Sequence, residues 1–395
     1  MTGLVLTAGG ARGAYQAGVL RRVSELKALR GKPAPFRIIT GASAGAINGA
    51  ALAAYHSDFT EGAARLAALW AQLTAADVFR TDLLALARTG SRLVLDMALG
   101  SLFGAGRTHG FVDTAPLRNF LGRHLPMDAI TREVQNGGLY ALAITATGYH
   151  SGKAFTFVQG KPGHALWNKS RRVALPTALS LEHVMASAAI PLVFPPVALS
   201  VASGSTAYFG DGALRLTTPL SPAIRLGAKR LFAIGVRCQE VADSLLRSEL
   251  SDTGGLVSKL QSPPLSQVCG VFMNAIFLDH LDADLDHLKR MNVLVAASKI
   301  SNGAAKKISE PMSVIEPLVI SPSADIAIIA KTLAHRMPRT LRFVLDGLGT
   351  PDAQSADLTS FLLFDKAFTS ELIQLGYRDA AQRIDEIEQF LRAVT

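Results

Sequence analysis

Gly41-Ala42-Ser43-Ala44-Gly45 constrains this chain more than any other segment. It follows the apolar run Phe36-Arg37-Ile38-Ile39-Thr40 and leads into Ala46, Ile47, Asn48, Gly49, Ala50 and Ala51. The pattern predicts a strand, a sharp turn and a helix, with the serine at the apex. Such a turn crowds and strains the backbone, which is why Gly41 and Gly45 flank it. It exposes the hydroxyl and aims a helix N-terminus at negative charge developing beside it. The chemistry predicted is nucleophilic catalysis by Ser43. Alone, Gly-x-Ser-x-Gly also fits a packing turn with no chemistry, so other segments must decide.

Two do. Leu4-Val5-Leu6-Thr7 reads as a short buried strand, followed by Ala8-Gly9-Gly10-Ala11-Arg12-Gly13. A helix then begins, with Tyr15, Val19, Val23 and Leu26 at helical spacing. Glycines let successive N–H groups converge on an anion, either a phosphate or the oxyanion of acyl transfer. A dinucleotide fingerprint would put a glycine where Ala8 stands and an acidic residue where Thr40 and Gly41 stand. There is no Gly-Lys-Ser/Thr ending for a phosphate-binding P-loop either. An oxyanion hole fits better, because the serine turn follows on the next strand. The second segment is Tyr208-Phe209-Gly210-Asp211-Gly212-Ala213. An aspartate between glycines is by itself a turn residue. Beside an activated serine it is a candidate base.

Ala-Gly-Gly-Ala-Arg-Gly, Gly-Ala-Ser-Ala-Gly and Asp-Gly-Ala, in this order, resemble the patatin-like phospholipases. Ala186-Ser187-Ala188-Ala189-Ile190-Pro191 to Phe194-Pro195-Pro196 also looks like that family, as does Thr217-Thr218-Pro219-Leu220-Ser221-Pro222-Ala223. The resemblance covers roughly residues 3 to 237. Residues after about 265 look like the C-terminal part of longer bacterial members. The resemblance implies a three-layer α/β/α sandwich with a largely helical C-terminal extension. It also implies a Ser–Asp dyad, with Ser43 the nucleophile and Asp211 the general base. Backbone N–H groups within Gly9, Gly10, Ala11, Arg12 and Gly13 would form the oxyanion hole. The family often has three glycines where this chain has Ala8-Gly9-Gly10, and Asp-Gly-Gly where it has Asp-Gly-Ala. Neither departure removes a reacting group.

A dyad without histidine needs a physical basis. A carboxylate with a pKa near 4 is a poor base for a serine hydroxyl. Desolvation in a closed site raises that pKa and strengthens the base. Oxyanion donors then lower the barrier by roughly 2.7–4 kcal/mol each. Arg12 adds positive charge nearby, as a surface or capping residue or as a contact for substrate phosphate. The competing arrangement is a Ser-Asp-His triad using His280, His287 or His335. The position of the serine argues against it, since Ser43 follows only the second strand. His109 and His183 read as surface or structural residues.

The rest of the chain sets bounds. A length of 395 residues, 49% apolar and 18% charged, allows one large domain with an extension, or two. The expected division is a catalytic domain over 1–238, a linker or mobile segment over 239–266 and a mostly helical region over 267–395. Mean hydropathy is +0.27, yet no apolar run is long enough to span a bilayer. Ala42 to Tyr55 reads instead as a helix packed under a sheet. The start of the chain has no basic leader region, and Cys238 and Cys269 suggest neither disulfides nor metal. A cytoplasmic enzyme is expected. The net charge of +9 suits peripheral contact with an anionic membrane; nucleic acid is ranked low for want of any motif.

Further local expectations complete the reading. Residues 83–103 read as an amphipathic helix, buried or serving as a lid. Residues 139–158 read as a hairpin, 179–189 as a helix and 230–236 as a strand. In 279–287, His280, Asp284 and His287 could share a helical face. Leu278, Leu281, Leu285 and Leu288 make that run a packed helix with a solvated acidic side rather than a metal site.

The function expected is hydrolysis of lipid acyl esters, of phospholipase A or lysophospholipase type, with no metal or organic cofactor. Acyl transfer or thioester hydrolysis at the same site stays open. So does a non-enzymatic lipid-binding protein that keeps the fold.

Overall fold

The structure is a computed structural model, and it describes residues 1–80, 112–191, 193–201, 205–238, 265–278, 280–300, 313–342 and 356–392. The predicted helix at 83–103, His109 and the linker up to residue 264 lie outside the described residues.

Among the described residues, ten strands form one sheet: β1 (Thr2–Leu6), β2 (Ile38–Ala42), β3 (Ala141–Gly148), β4 (Lys153–Gly160), β5 (Asn168–Lys169), β6 (Arg172–Pro176), β7 (Val197–Ser200), β8 (Thr206–Gly210), β9 (Arg230–Ile234) and β10 (Glu316–Ile320). Their order is β10-β9-β1-β2-β3-β4-β6-β5, and β8 joins the end of β3 and carries β7. The first five in this order run parallel; β3 and β4 form the antiparallel hairpin expected from the sequence.

Alternating side chains explain the layers. Leu4 and Leu6 of β1, Ile39 of β2, Leu142 and Ile144 of β3, and Phe232 and Ile234 of β9 enter one apolar core. Val5, Ile38, Ala143 and Leu231 enter a second core on the opposite face. Strands buried on both faces must be covered by helices on both. α1 (Gly13–Ser24), α2 (Ala44–Ala54) and α3 (Phe59–Gln72) cover the first face. Helix Ser221–Arg225 and the stripe Leu281, Leu285, Leu288 cover the second. The result is the three-layer α/β/α sandwich with a helical C-terminal region. Every residue of α2 is buried, as expected of a small-residue helix under a sheet.

Three details differ from the sequence reading. β2 starts at Ile38, because Phe36 is taken up by its ring contacts with Phe59 and Phe232, and pairing with β1 begins at Ile38. The C-terminal region also supplies a strand, β10, which pairs with β9 at the edge of the sheet. The acidic side of helix His280–Ile300 is not wholly solvated: Asp284 is buried and accepts the Leu220 N–H at 2.8 Å. Its burial raises its pKa, against the pull of that hydrogen bond.

Beyond β10, helix Lys366–Gln382 packs along α1. Asp379 on that helix accepts the Tyr15 hydroxyl at 2.9 Å and the Ser323 hydroxyl at 2.6 Å.

Candidate active site

β1 and β2 are parallel neighbours with Leu6 opposite Gly41, so the loops leaving their carboxyl ends emerge side by side. That is where ligands bind in open α/β sheets. The β2 loop is the serine turn. Ser43 caps the start of α2 at φ 55°, ψ −126°, the only non-glycine at positive φ among the described residues. This conformation costs about 1–3 kcal/mol and persists only where neighbours enforce it. A Cβ on Gly41 would strike the Gly45 carbonyl, and one on Gly45 the Leu6 carbonyl. The turn therefore closes against itself and against β1 because both positions are glycine.

Ser187 fastens the turn from the other side. The Ser43 N–H donates to Ser187 Oγ at 3.0 Å, and the Ser187 hydroxyl donates to the Thr145 carbonyl at 2.6 Å. Ser187 is fully buried at the end of helix Leu181–Ser187. Its stretch is prominent in the sequence, but this linking role needs the fold to be seen.

Asp211 arrives at the end of β8, which descends antiparallel onto the end of β3. Its N–H donates to the Ala189 carbonyl at 2.9 Å, and its own carbonyl accepts from Thr147 Oγ1 at 2.8 Å. Oδ1 accepts the Ala213 N–H at 2.9 Å. Oδ2 has no hydrogen bond of ordinary geometry, although the Ser43 hydroxyl is near enough to favour the ionised carboxylate. Burial prevails over both groups and pushes the pKa up to about 7. The sequence thus brings Ser43 and Asp211 together across 168 positions. No described histidine acts on the Asp211 carboxyl. His183 instead pairs with Ser180, and His335 with the Thr332 carbonyl.

The glycine loop lies beside the serine turn. Gly10 has φ 55° and begins a single turn, Gly10–Arg12, with the Phe361 carbonyl packed where a Cβ would stand. The Arg12 N–H closes onto the Gly9 carbonyl at 3.1 Å, and the Gly13 N–H turns toward the Gly10 and Ala11 carbonyls. The Gly10 and Ala11 amides open the turn and have no carbonyl within it to meet.

The Arg12 side chain is not on the surface; its guanidinium is held by protein partners. It is buried, donating from Nε to Ser360 Oγ at 2.7 Å and from Nη2 to Asp357 Oδ1 at 2.8 Å. The guanidinium lies 4.6 Å from the centre of the Phe361 ring. Burial lowers its pKa, and Asp357 opposes that shift. The other Asp357 oxygen accepts from Asn274 Nδ2 at 2.7 Å. No local sequence signal points to these partners, which lie about 350 residues downstream.

Among the described residues, no three His, Cys, Asp or Glu side chains are grouped to hold a metal ion. No described helix is long and apolar enough to cross a membrane.

Residues 4–224 match the family described as Patatin-like phospholipase. No curated protein matches the chain. Among solved structures it is similar to VipD from Legionella pneumophila, at 12% identity over 98% of this chain and 67% of that one, with a TM-score of 0.31. It is also similar to the heterodimeric ExoU–SpcU complex of the type III secretion system of Pseudomonas aeruginosa, at 15% identity over 91% and 74%, with a TM-score of 0.21. At these scores neither likeness bears on activity.

Proposed function

Because this chain belongs to the patatin-like phospholipase family, we propose that it hydrolyses lipid acyl esters through a Ser43–Asp211 dyad. The observation that carries the reading is the pairing of a serine forced to positive φ with a fully buried carboxyl whose pKa is pushed to about 7. Ser43 Oγ attacks the acyl carbonyl carbon while Asp211 takes its proton. The C=O electron pair moves onto oxygen, which is held by the amides of Gly10 and Ala11. Collapse expels the alcohol, which leaves with the proton from Asp211. Water then attacks the acyl carbon with Asp211 accepting its proton; the acyl–Oγ bond breaks, Asp211 returns the proton to Ser43 Oγ, and the carboxylic acid leaves. A base with a pKa near 7 is well matched to this exchange at neutral pH. Gly9 and Gly13 shape the loop, and Arg12 anchors it from behind.

Intact-mass analysis after treatment with a long-chain lipid fluorophosphonate tests the nucleophile. One adduct on the wild type and none on Ser43→Ala is expected. A folded wild type that takes no adduct overturns the reading. Product analysis of turnover with a competing alcohol then separates hydrolysis from acyl transfer.

A further inference from the structure

Helix Leu265–Phe277 contains no charged residue. Its inward side is used: Met273 and Phe277 are buried, and the helix packs on the turn Gly212–Leu214 directly after Asp211. Ile276 and Phe277 line a small cavity with Gly41, Ala42, Thr145 and Ala213. The outward side is apolar as well. Leu265 is 56% exposed, Val268 50%, Val271 64% and Phe272 58%. Their spacing places them on one helical face. A helix with apolar faces both inward and outward belongs in a core or in lipid. This one has a core on one side only.

We propose that the face formed by Leu265, Val268, Val271 and Phe272 docks on the surface of an anionic phospholipid bilayer. The helix is 13 residues, about 20 Å, against about 30 Å of hydrocarbon, so it lies in the interface and does not span it. The net charge of +9 supplies attraction to anionic headgroups, and the uncharged face supplies insertion. A second copy of the chain is a poorer occupant. Four partly exposed side chains fall well short of the roughly 800 Å² per partner of a stable interface. Docking this face brings the Asp211 turn, on the inward side of the same helix, close to the lipid surface. That consequence rests on the proposed lipid ester substrate; the docking itself does not.

The test uses the full chain carrying Ser43→Ala, floated with vesicles of mixed phosphatidylglycerol and phosphatidylcholine. Adding Val271→Glu and Phe272→Glu is expected to lower vesicle binding at least tenfold. The same pair in the Ser43-intact chain is expected to leave hydrolysis of a monomeric short-chain ester unchanged. Equal flotation of the two chains overturns the proposal. So does a parent that elutes as a dimer and dissociates on substitution. Should the double substitution impair folding, Phe272→Trp gives a second readout, with a blue-shifted emission expected on vesicles; an unshifted emission overturns docking. A chain that floats but cleaves no ester sinks the enzymatic reading alone. One that cleaves monomeric esters but never floats sinks the docking alone.

Discussion

The backbone N–H of Ser43 and the side-chain oxygen of Ser187 meet in a buried 3.0 Å hydrogen bond across 144 positions of sequence. The same hydroxyl continues to the Thr145 carbonyl, so one small side chain ties the serine turn to β3. Ser187→Ala leaves a buried donor and a buried acceptor without partners. The expected cost is about 1–3 kcal/mol of stability. A fall in kcat with little change in KM is expected too, because the turn is loosened and no proposed substrate contact is removed. Thermal melting and steady-state kinetics on a soluble ester check both.

The strain at Ser43 predicts opposed effects on stability and turnover. Glycine adopts positive φ without the Cβ penalty, so Ser43→Gly is expected to raise stability by about 1 kcal/mol. The same change removes the nucleophile and should lower kcat by about 10⁴-fold or more. Chemical denaturation beside an activity assay decides; a less stable Ser43→Gly protein would contradict the strain argument.

Asp211 sets the pH dependence. As a base it must be ionised, so kcat/KM should rise with pH, reach half its plateau near pH 7 and level off above that. Stability should run the other way. The folded-state pKa, about 7, lies above the ordinary value of 3.8, so the folded protein holds the proton more tightly than the unfolded chain. This contribution is fully present below about pH 4 and is lost as pH rises through about 7, to the extent of ~4 kcal/mol. Asp211→Asn keeps an acceptor for the Ala213 N–H. It should abolish turnover and flatten this part of the stability profile. Denaturation from pH 4 to 9 on both proteins measures it.

The elements that could be read from sequence are the local ones. The serine turn shows itself because strand, glycines and small-residue helix lie within about 15 consecutive positions. Asp211 is different: an aspartate between glycines reads by itself as a turn, and it becomes a candidate base only beside the serine turn and through the resemblance. Its raised pKa follows from burial, for which the local sequence has no marker. β10 was missed because it is five residues long with Pro317 inside it. Proline removes a ladder donor and is tolerated in an edge strand, which is where Pro317 sits. Arg12 read as a surface or substrate-facing cation because its counter-charge, Asp357, is distant in sequence and is brought near only by the fold.

That ion pair is testable in its own right. Removing Asp357 leaves the buried Arg12 charge uncompensated, at up to about 3–5 kcal/mol, whereas removing Arg12 leaves a carboxylate that water reaches, at a smaller cost. Arg12→Met and Asp357→Asn should each destabilise the protein and lower activity, Asp357→Asn by more, since it strands the buried Arg12 charge while Asp357 is partly exposed. A double-mutant cycle should show the two losses to be strongly non-additive. Additive losses would mean that the glycine loop and helix Ala356–Leu362 are not coupled through this contact.

The 345-residue separation between Arg12 and Asp357 also fixes when the glycine loop can gain this support. A nascent chain emerging at about 5–20 residues per second carries Arg12 for roughly 20–70 seconds before Asp357 has been made. During that interval the guanidinium has neither carboxylate nor hydroxyl to receive it, and the Gly10–Arg12 turn lacks its backing. The serine turn can fold early with β1 and β2, but the glycine turn beside it, whose amides are the proposed oxyanion donors, gains its backing only late in synthesis. For a chain built this way, the last support of the glycine loop is timed by translation itself.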